Sequence, residues 1–125
     1  EQDYNSFDIK KSIEIIYGIR NFVGNANKYA KKNIYVSIKS DSETSEIVIE
    51  DDGPGFSKDI LAKIGEPYIK SLRTKDKQKA GLGLGIFIGK TLLEKNYAKI
   101  LFRNSETRGG AEIKIEWTNK NLIKI

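Results

Sequence analysis

The chain has 125 residues, with 22 Lys and Arg against 17 Asp and Glu for a net charge of +5, and it contains no Cys, no His and no Met. That length suits one domain, and a domain of this size buries roughly two-thirds of its extended-chain surface without a disulfide or metal staple. The missing residue types exclude disulfide frameworks, Cys- or His-ligated metals, thiol nucleophiles, imidazole bases and a phospho-accepting His, and no apolar run approaches the roughly 20 residues of a membrane helix.

Residues 1–7 read as a polar lead-in. From Phe7 to about Lys32 the pattern is helical: Ile15, Ile19, Phe22 and Ala26 recur at helical steps, with Ile16 and Val23 widening the stripe. Asn21, Asn25 and Lys28 share a different flank of that helix, bordering the core. An Asn carbonyl is a hard, neutral oxygen donor, suited to be the single protein ligand of a Mg²⁺ held mainly by phosphates. Lys28 offers a point charge to a phosphate, and Tyr29 offers a ring to a base. The competing reading of this flank is a solvated surface rich in Asn.

Ile34–Lys39 alternates and is rich in β-branched residues, Ser40–Ser45 is a polar turn, and Glu46–Asp51 alternates again, so the two strands form a hairpin. Asp52-Gly53-Pro54-Gly55 is a stop signal. Asp51 continues the face of Ile47 and Ile49 and so points inward. An inward carboxylate with no local cation needs a donor, and an exocyclic amine such as adenine N6 serves. Gly53 and Gly55 let the backbone approach a planar ligand. A β-turn with an Asx cap competes with that reading.

Ser57 caps a short helix from about Lys58 to Ile64. Glu66–Ala80 has no usable period, and within residues 70–79 Lys70, Arg73, Lys75, Lys77 and Lys79 stand against Asp76 alone. A loop of that length in a compact domain is a lid, a binding loop or a solvated excursion. Its cluster carries no aromatic residue, so it suits a nucleoside triphosphate better than a nucleic acid. Gly81-Leu82-Gly83-Leu84-Gly85 then runs into a helix from Leu84 to Lys95. Alternate glycines expose successive N–H groups at a helix N-terminus, which is a phosphate cradle. It does not follow a strand as a dinucleotide-binding fingerprint does. Gly85 and Gly89 have three apolar residues between them where a Walker A loop needs four. Lys99–Arg103 and Ala111–Trp117 are strands joined by a turn with Arg108-Gly109-Gly110. Runs of adjacent strands between helices predict an α+β layer, with helices packed on one face of a mixed β-sheet.

In this order the motifs resemble the catalytic and ATP-binding domain of sensor histidine kinases, in the GHKL superfamily. The helix through Asn21–Tyr29 looks like the N box, Asp51–Gly55 like the G1 box, Glu66–Ile69 like the F box and Gly81–Gly85 like the G2 box. Glu66-Pro67-Tyr68, the run Gly83–Glu94, Arg108–Ala111 and Glu116-Trp117 look more narrowly like the redox-responsive kinases of the RegB/PrrB type. Leu82 departs from the small or polar residue many histidine kinases carry there.

The resemblance implies a two-layer α/β sandwich of the Bergerat type that binds Mg-ATP. It implies a single catalytic domain over residues 1–125, cut from a larger, membrane-anchored kinase in which this domain is cytoplasmic. Asn25 is then the Mg²⁺ ligand and Asn21 assists at metal or phosphates, the two forming the catalytic pair. Lys28, Lys70 and Arg73 approach the phosphates, Tyr29 the adenine, and Asp51 accepts from adenine N6. Gly53 and Gly55 shape the base pocket, and Gly81, Gly83 and Gly85 cradle the phosphates. Similar ATPases and anti-sigma serine kinases carry Glu, a base, four residues before the metal Asn. Asn21 is an amide that cannot accept a proton, which favours transfer to a His over hydrolysis or serine phosphorylation. A stand-alone GHKL ATPase or anti-sigma-type serine kinase is the alternative. With no His here, the acceptor lies in a separate dimerisation domain of a homodimeric kinase, a response regulator acts downstream, and no nucleic acid is bound. The isolated chain is expected to bind nucleotide and turn over little.

Overall fold

The computed structural model describes residues 12–64 and 82–123. In chain order these form α1 (Ile13–Tyr29), β1 (Ile34–Ser40), β2 (Thr44–Asp51), α2 (Lys58–Lys63), α3 (Leu82–Lys95), β3 (Lys99–Asn104), β4 (Ala111–Thr118) and α4 (Asn119–Leu122). The expected lid, with Glu66–Ile69, Lys70, Arg73 and Gly81, lies outside the described residues.

The helix starts follow local chemistry. Ser12 Oγ accepts the Ile15 N–H at 3.3 Å and caps α1; the expected start at Phe7 lies outside the described residues. Ser57 Oγ accepts the Ile60 N–H at 3.2 Å and opens α2 as expected. Thr118 Oγ1 caps α4 through Asn121 N–H, an element too short for periodicity to announce.

The sheet order is β1-β2-β4-β3. Among the described residues all three pairings are antiparallel, where the sequence predicts a mixed sheet. The reason lies in the last strand. β2 and β3 run parallel, joined through α2 and α3, but they are not neighbours because β4 inserts between them and opposes both. Ile113 therefore faces Ile49 on one side and Phe102 on the other, and Ile115 faces Ile47 and Ile100.

Alternation along β2 and β4 sends these side chains to one face, where α1 and α3 cover them. The fully buried centre is Phe22, Ile49, Ile86, Leu93 and Ile115. Ile15, Ile19 and Val23 pack against this core as their helical spacing predicts, whereas Ile16 lies at the stripe's margin and is 41% exposed. Beyond α1 the face runs out to Val36 and Ile38 on the edge strand, both largely exposed.

α1 and α3 lie antiparallel. At one end Lys95 Nζ meets Glu14 Oε2 at 2.7 Å. In the middle Gly18 and Gly89 bring the two backbones together: a Cβ on Gly89 would sit 2.6 Å from Phe22 Cε1, and one on Gly18 2.8 Å from Leu93 Cγ. At the other end Asn21 approaches Gly85. This glycine seam sets how closely the N-terminus of α3 stands beside the Asn21–Asn25 flank.

Candidate functional site

A cleft opens where α1, the β2–α2 loop and the start of β4 meet, lined by Asn25, Tyr29, Asp51, Pro54, Gly55, Phe56, Ile60 and Ala111. The sequence named Asn25, Tyr29, Asp51 and Gly55 for it. Pro54, Phe56, Ile60 and Ala111 were not named for it, because their approach to the cleft depends on tertiary packing.

Asp51 is 2% exposed and faces the cleft from the end of β2. Its Oδ1 accepts the Gly53 N–H at 2.8 Å and the Ala111 N–H at 3.2 Å. Among the described residues nothing donates to Oδ2. The carboxylate is thus fixed through one oxygen, and its other oxygen is an acceptor left for whatever enters. Gly53 is buried under the end of α1, where a Cβ would collide with the Tyr29 carbonyl. Gly55 has φ +78°, a conformation that favours glycine, and a Cβ there would lie 2.7 Å from Asn104 Oδ1.

Asp52, the next carboxylate, does different work. Its Oδ1 accepts the Lys31 N–H at 2.8 Å and its Oδ2 the Asn33 N–H at 3.1 Å, with Lys32 N–H shared between the two. It ties down the turn between α1 and β1. The Lys32 N–H above all, with those of Asn33 and Lys31, holds its pKa below the ordinary carboxylate value. The Asx-cap reading of the motif holds at Asp51 itself, whose Oδ1 accepts the Gly53 N–H two residues on, while Asp52 caps a turn 19–21 residues away.

Asn104, at the end of β3, was not singled out by sequence. Its Oδ1 accepts the Phe56 N–H at 2.7 Å and its Nδ2 donates to the Phe56 carbonyl at 2.9 Å. No local signal marks it, since its partner is 48 residues away.

On the polyanion side, Asn21 Nδ2 donates to the Tyr17 carbonyl at 2.8 Å. Its Oδ1 faces α3, 3.7 Å from where a Gly85 Cβ would lie. α3 is described from Leu82, so Gly83 and Gly85 lie in its first described turns; the N–H groups of a helix's first turn and the helix dipole favour an anion. Lys28 is exposed, with Nζ 5.6 Å from the centre of the Tyr29 ring. The structure therefore brings Asn25, Tyr29, Asp51 and Gly55 into one cleft, places Gly53 beneath it, and sets Asn21 against Gly85 across the α1–α3 seam. Lys70 and Gly81 lie outside the described residues.

The donor set speaks to metal chemistry. Among the described residues no three Asp, Glu, His or Cys side chains gather to hold a metal by themselves. A cation here has Asn25 as a neutral oxygen ligand in the cleft wall, an arrangement that fits Mg²⁺ carried in by phosphates. No helix among the described residues is long and apolar enough to cross a membrane.

Residues 11–121 match the family described as Histidine kinase-, DNA gyrase B-, and HSP90-like ATPase. The sensor histidine kinase RegB of Cereibacter sphaeroides is 31% identical over 127 residues, covering 90% of this chain and 28% of the relative. The chain thus spans less than a third of the length of that relative. The fold is shared with the catalytic domain of histidine kinase ThkA, at TM-score 0.68 and 23% identity over 84% of this chain and 67% of that one. It is shared also with full-length ShkA, solved in complex with AMPPNP, at TM-score 0.64 and 24% identity over 83% of this chain and 21% of that one.

Proposed function

The chain belongs to the histidine kinase-, gyrase B- and HSP90-like ATPase family, and from that premise we propose that it is the ATP-binding catalytic domain of a two-component sensor histidine kinase. Its substrate is Mg-ATP, and the γ-phosphoryl group passes to a His on a separate dimerisation domain of the same homodimeric kinase. A response regulator takes the phosphoryl group onward. The domain works in the cytoplasm, attached to a kinase anchored in the membrane.

The observation that carries this reading is Asp51: a buried carboxylate fixed through Oδ1, with Oδ2 turned to a cleft walled by Tyr29, Pro54, Phe56 and Ile60. An apolar slot ending in a lone acceptor suits a flat base with an exocyclic amine, and adenine N6 is that amine. Tyr29 and Ile60 flank the base. The triphosphate then extends toward the N-terminus of α3, where the N–H groups of Leu82, Gly83 and Leu84 receive oxygens and Gly81 and Gly85 keep side chains out of the way. Lys28 and Lys70 add positive charge there, and Arg73 assists. Asn25 ligates Mg²⁺, whose contribution is to neutralise phosphate charge as the group leaves ADP. Asn21 supports that end through Oδ1, since its Nδ2 is committed to the Tyr17 carbonyl.

Positioning and charge neutralisation dominate phosphoryl transfer, and these residues supply both without a base. A neutral imidazole is already a nucleophile, so an amide at position 21 is sufficient for transfer to His and insufficient to activate water or a serine hydroxyl.

Calorimetric titration with AMPPNP, with and without Mg²⁺, tests the reading. Magnesium-linked binding in the micromolar to millimolar range, about −8 to −4 kcal/mol, is the expected result. A folded sample that binds no nucleotide overturns it. Phosphorylation of an added His-bearing dimerisation domain, with no serine phosphorylation and little free phosphate released, separates a histidine kinase from an ATPase or serine kinase.

A further inference from the structure

We infer that Asn104 is a positioning residue for the base pocket, holding the wall formed by Pro54, Gly55 and Phe56 at a fixed distance from the Asp51 carboxylate; this rests on the adenine reading of that pocket.

Asn104 and Ala111 are cross-strand partners at the last rung of the β3–β4 ladder. The Ala111 N–H donates to Asp51 Oδ1 at 3.2 Å. Asn104 grips Phe56 through both its N–H and its carbonyl, at 2.7 and 2.9 Å. One rung therefore fastens both ends of the segment that forms the pocket, its acceptor and its wall. The two bonds pair one side-chain amide with the N–H and the carbonyl of a single residue, as a neighbouring strand would, which fixes both the height and the tilt of Phe56. Gly55, at φ +78°, leaves open the space where a Cβ would meet Asn104 Oδ1. Below, Phe56 and Phe102 stack edge to face, with ring centroids 6.4 Å apart, so the side chain of Phe56 follows its backbone. Asn104 does not line the cleft. Its effect reaches a ligand only through residues 54–56.

The test compares adenosine and AMPPNP affinities of the wild type, Asn104→Ala and Asn104→Asp, by calorimetry well below the melting temperature. For Asn104→Ala the dissociation constants of both ligands rise by the same factor, roughly five- to tenfold, the size expected for lost hydrogen-bonded positioning. The ratio of the two affinities stays constant, because the phosphate end is untouched. Asn104→Asp keeps the acceptor for Phe56 N–H but sets a second acceptor against its carbonyl, so its loss of affinity is at least as large. A lowered melting temperature with unchanged dissociation constants overturns the proposal and leaves Asn104 as a merely structural tie. If Asn104→Ala does not fold, Asn104→Asp decides by the same criteria. A wild type that binds neither adenosine nor AMPPNP removes the adenine reading and this inference with it. A wild type that binds both, with variants equal to it, removes only the role of Asn104.

Discussion

At the base end of the cleft, the polar groups of residues 51–56 are taken up by the fold: Asp51 by Gly53 and Ala111, Phe56 by Asn104, Asp52 by the turn at residues 31–33. At the end proposed for the phosphates the fold offers the N-terminal turn of α3 and an amide oxygen on Asn21 facing it. The first region is organised before any ligand arrives, and one acceptor is left over to read it. The second keeps its hydrogen-bonding capacity in reserve for a flexible, charged chain. The contrast suits a ligand with one rigid end and one floppy, highly solvated end.

The largest test of that contrast is at Asp51. Asp51→Asn keeps an oxygen for the Gly53 and Ala111 N–H groups but turns the reading acceptor into a donor. ATP affinity is expected to fall roughly 10–150-fold, the value of about 1.5–3 kcal/mol for a hydrogen bond to a charged group, with a native circular dichroism spectrum. Unchanged affinity sinks the idea that this oxygen reads the base.

Next comes the seam that sets the two regions' spacing. Gly89→Val puts bulk against Phe22 and the Gly18 backbone, and overpacking of this kind costs about 1–3 kcal/mol. Thermal unfolding should drop by roughly 3–10 °C for a domain of this size. A variant of undiminished stability shows that α3 can stand off from α1 freely.

Asn25→Ala sharpens the phosphate side. It should remove most of the Mg²⁺-dependent increment in AMPPNP affinity, several-fold, and spare adenosine. Equal loss for both ligands means that Asn25 supports the wall and not the metal.

The smallest expected effect is at Asp52. Asp52→Ala lowers the melting temperature slightly and leaves nucleotide affinity alone. Because its pKa is depressed in the fold by the Lys32, Asn33 and Lys31 N–H groups, its stabilising contribution is present above the ordinary aspartate pKa. It is lost as pH falls from about 4 through the folded value. Glu14, held down by Lys95 first and then Asn96, and Asp41, held down by the Thr44 and Glu43 N–H groups, act in the same direction. With no His in the chain, melting curves from about pH 6 to 8 should superimpose and the decline should begin below about pH 5. A step near neutral pH contradicts this.

Periodicity made most of this legible. The inward aim of Asp51 follows from Ile49 and Ile47, two and four residues before it, and the Ser57 cap from its place ahead of a short amphipathic run. What stayed hidden depends on pairs distant in sequence. Asp52 looked like its neighbour because its partners are backbone N–H groups 19–21 residues away. Asn104 had no pattern around it. The insertion of β4 between β2 and β3 could not be read either, since both strands alternate in the same way and nothing local says which edge the last one joins.

That insertion has a consequence for the order in which the molecule comes into being. β4 is made late but lies inside the sheet, so β2 lacks its inner neighbour until residues 111–118 have emerged from the ribosome. Until then Asp51 lacks the Ala111 N–H and β3 has no rung on which to seat Asn104. Such long-range pairings fold slowly because loop closure precedes their reward. A nascent chain halted before Ala111 keeps the Asp51–Gly53 and Asp52 ties but lacks those from Ala111 and Asn104. The full set of bonds around Asp51 and Phe56 therefore forms only once β4 is made.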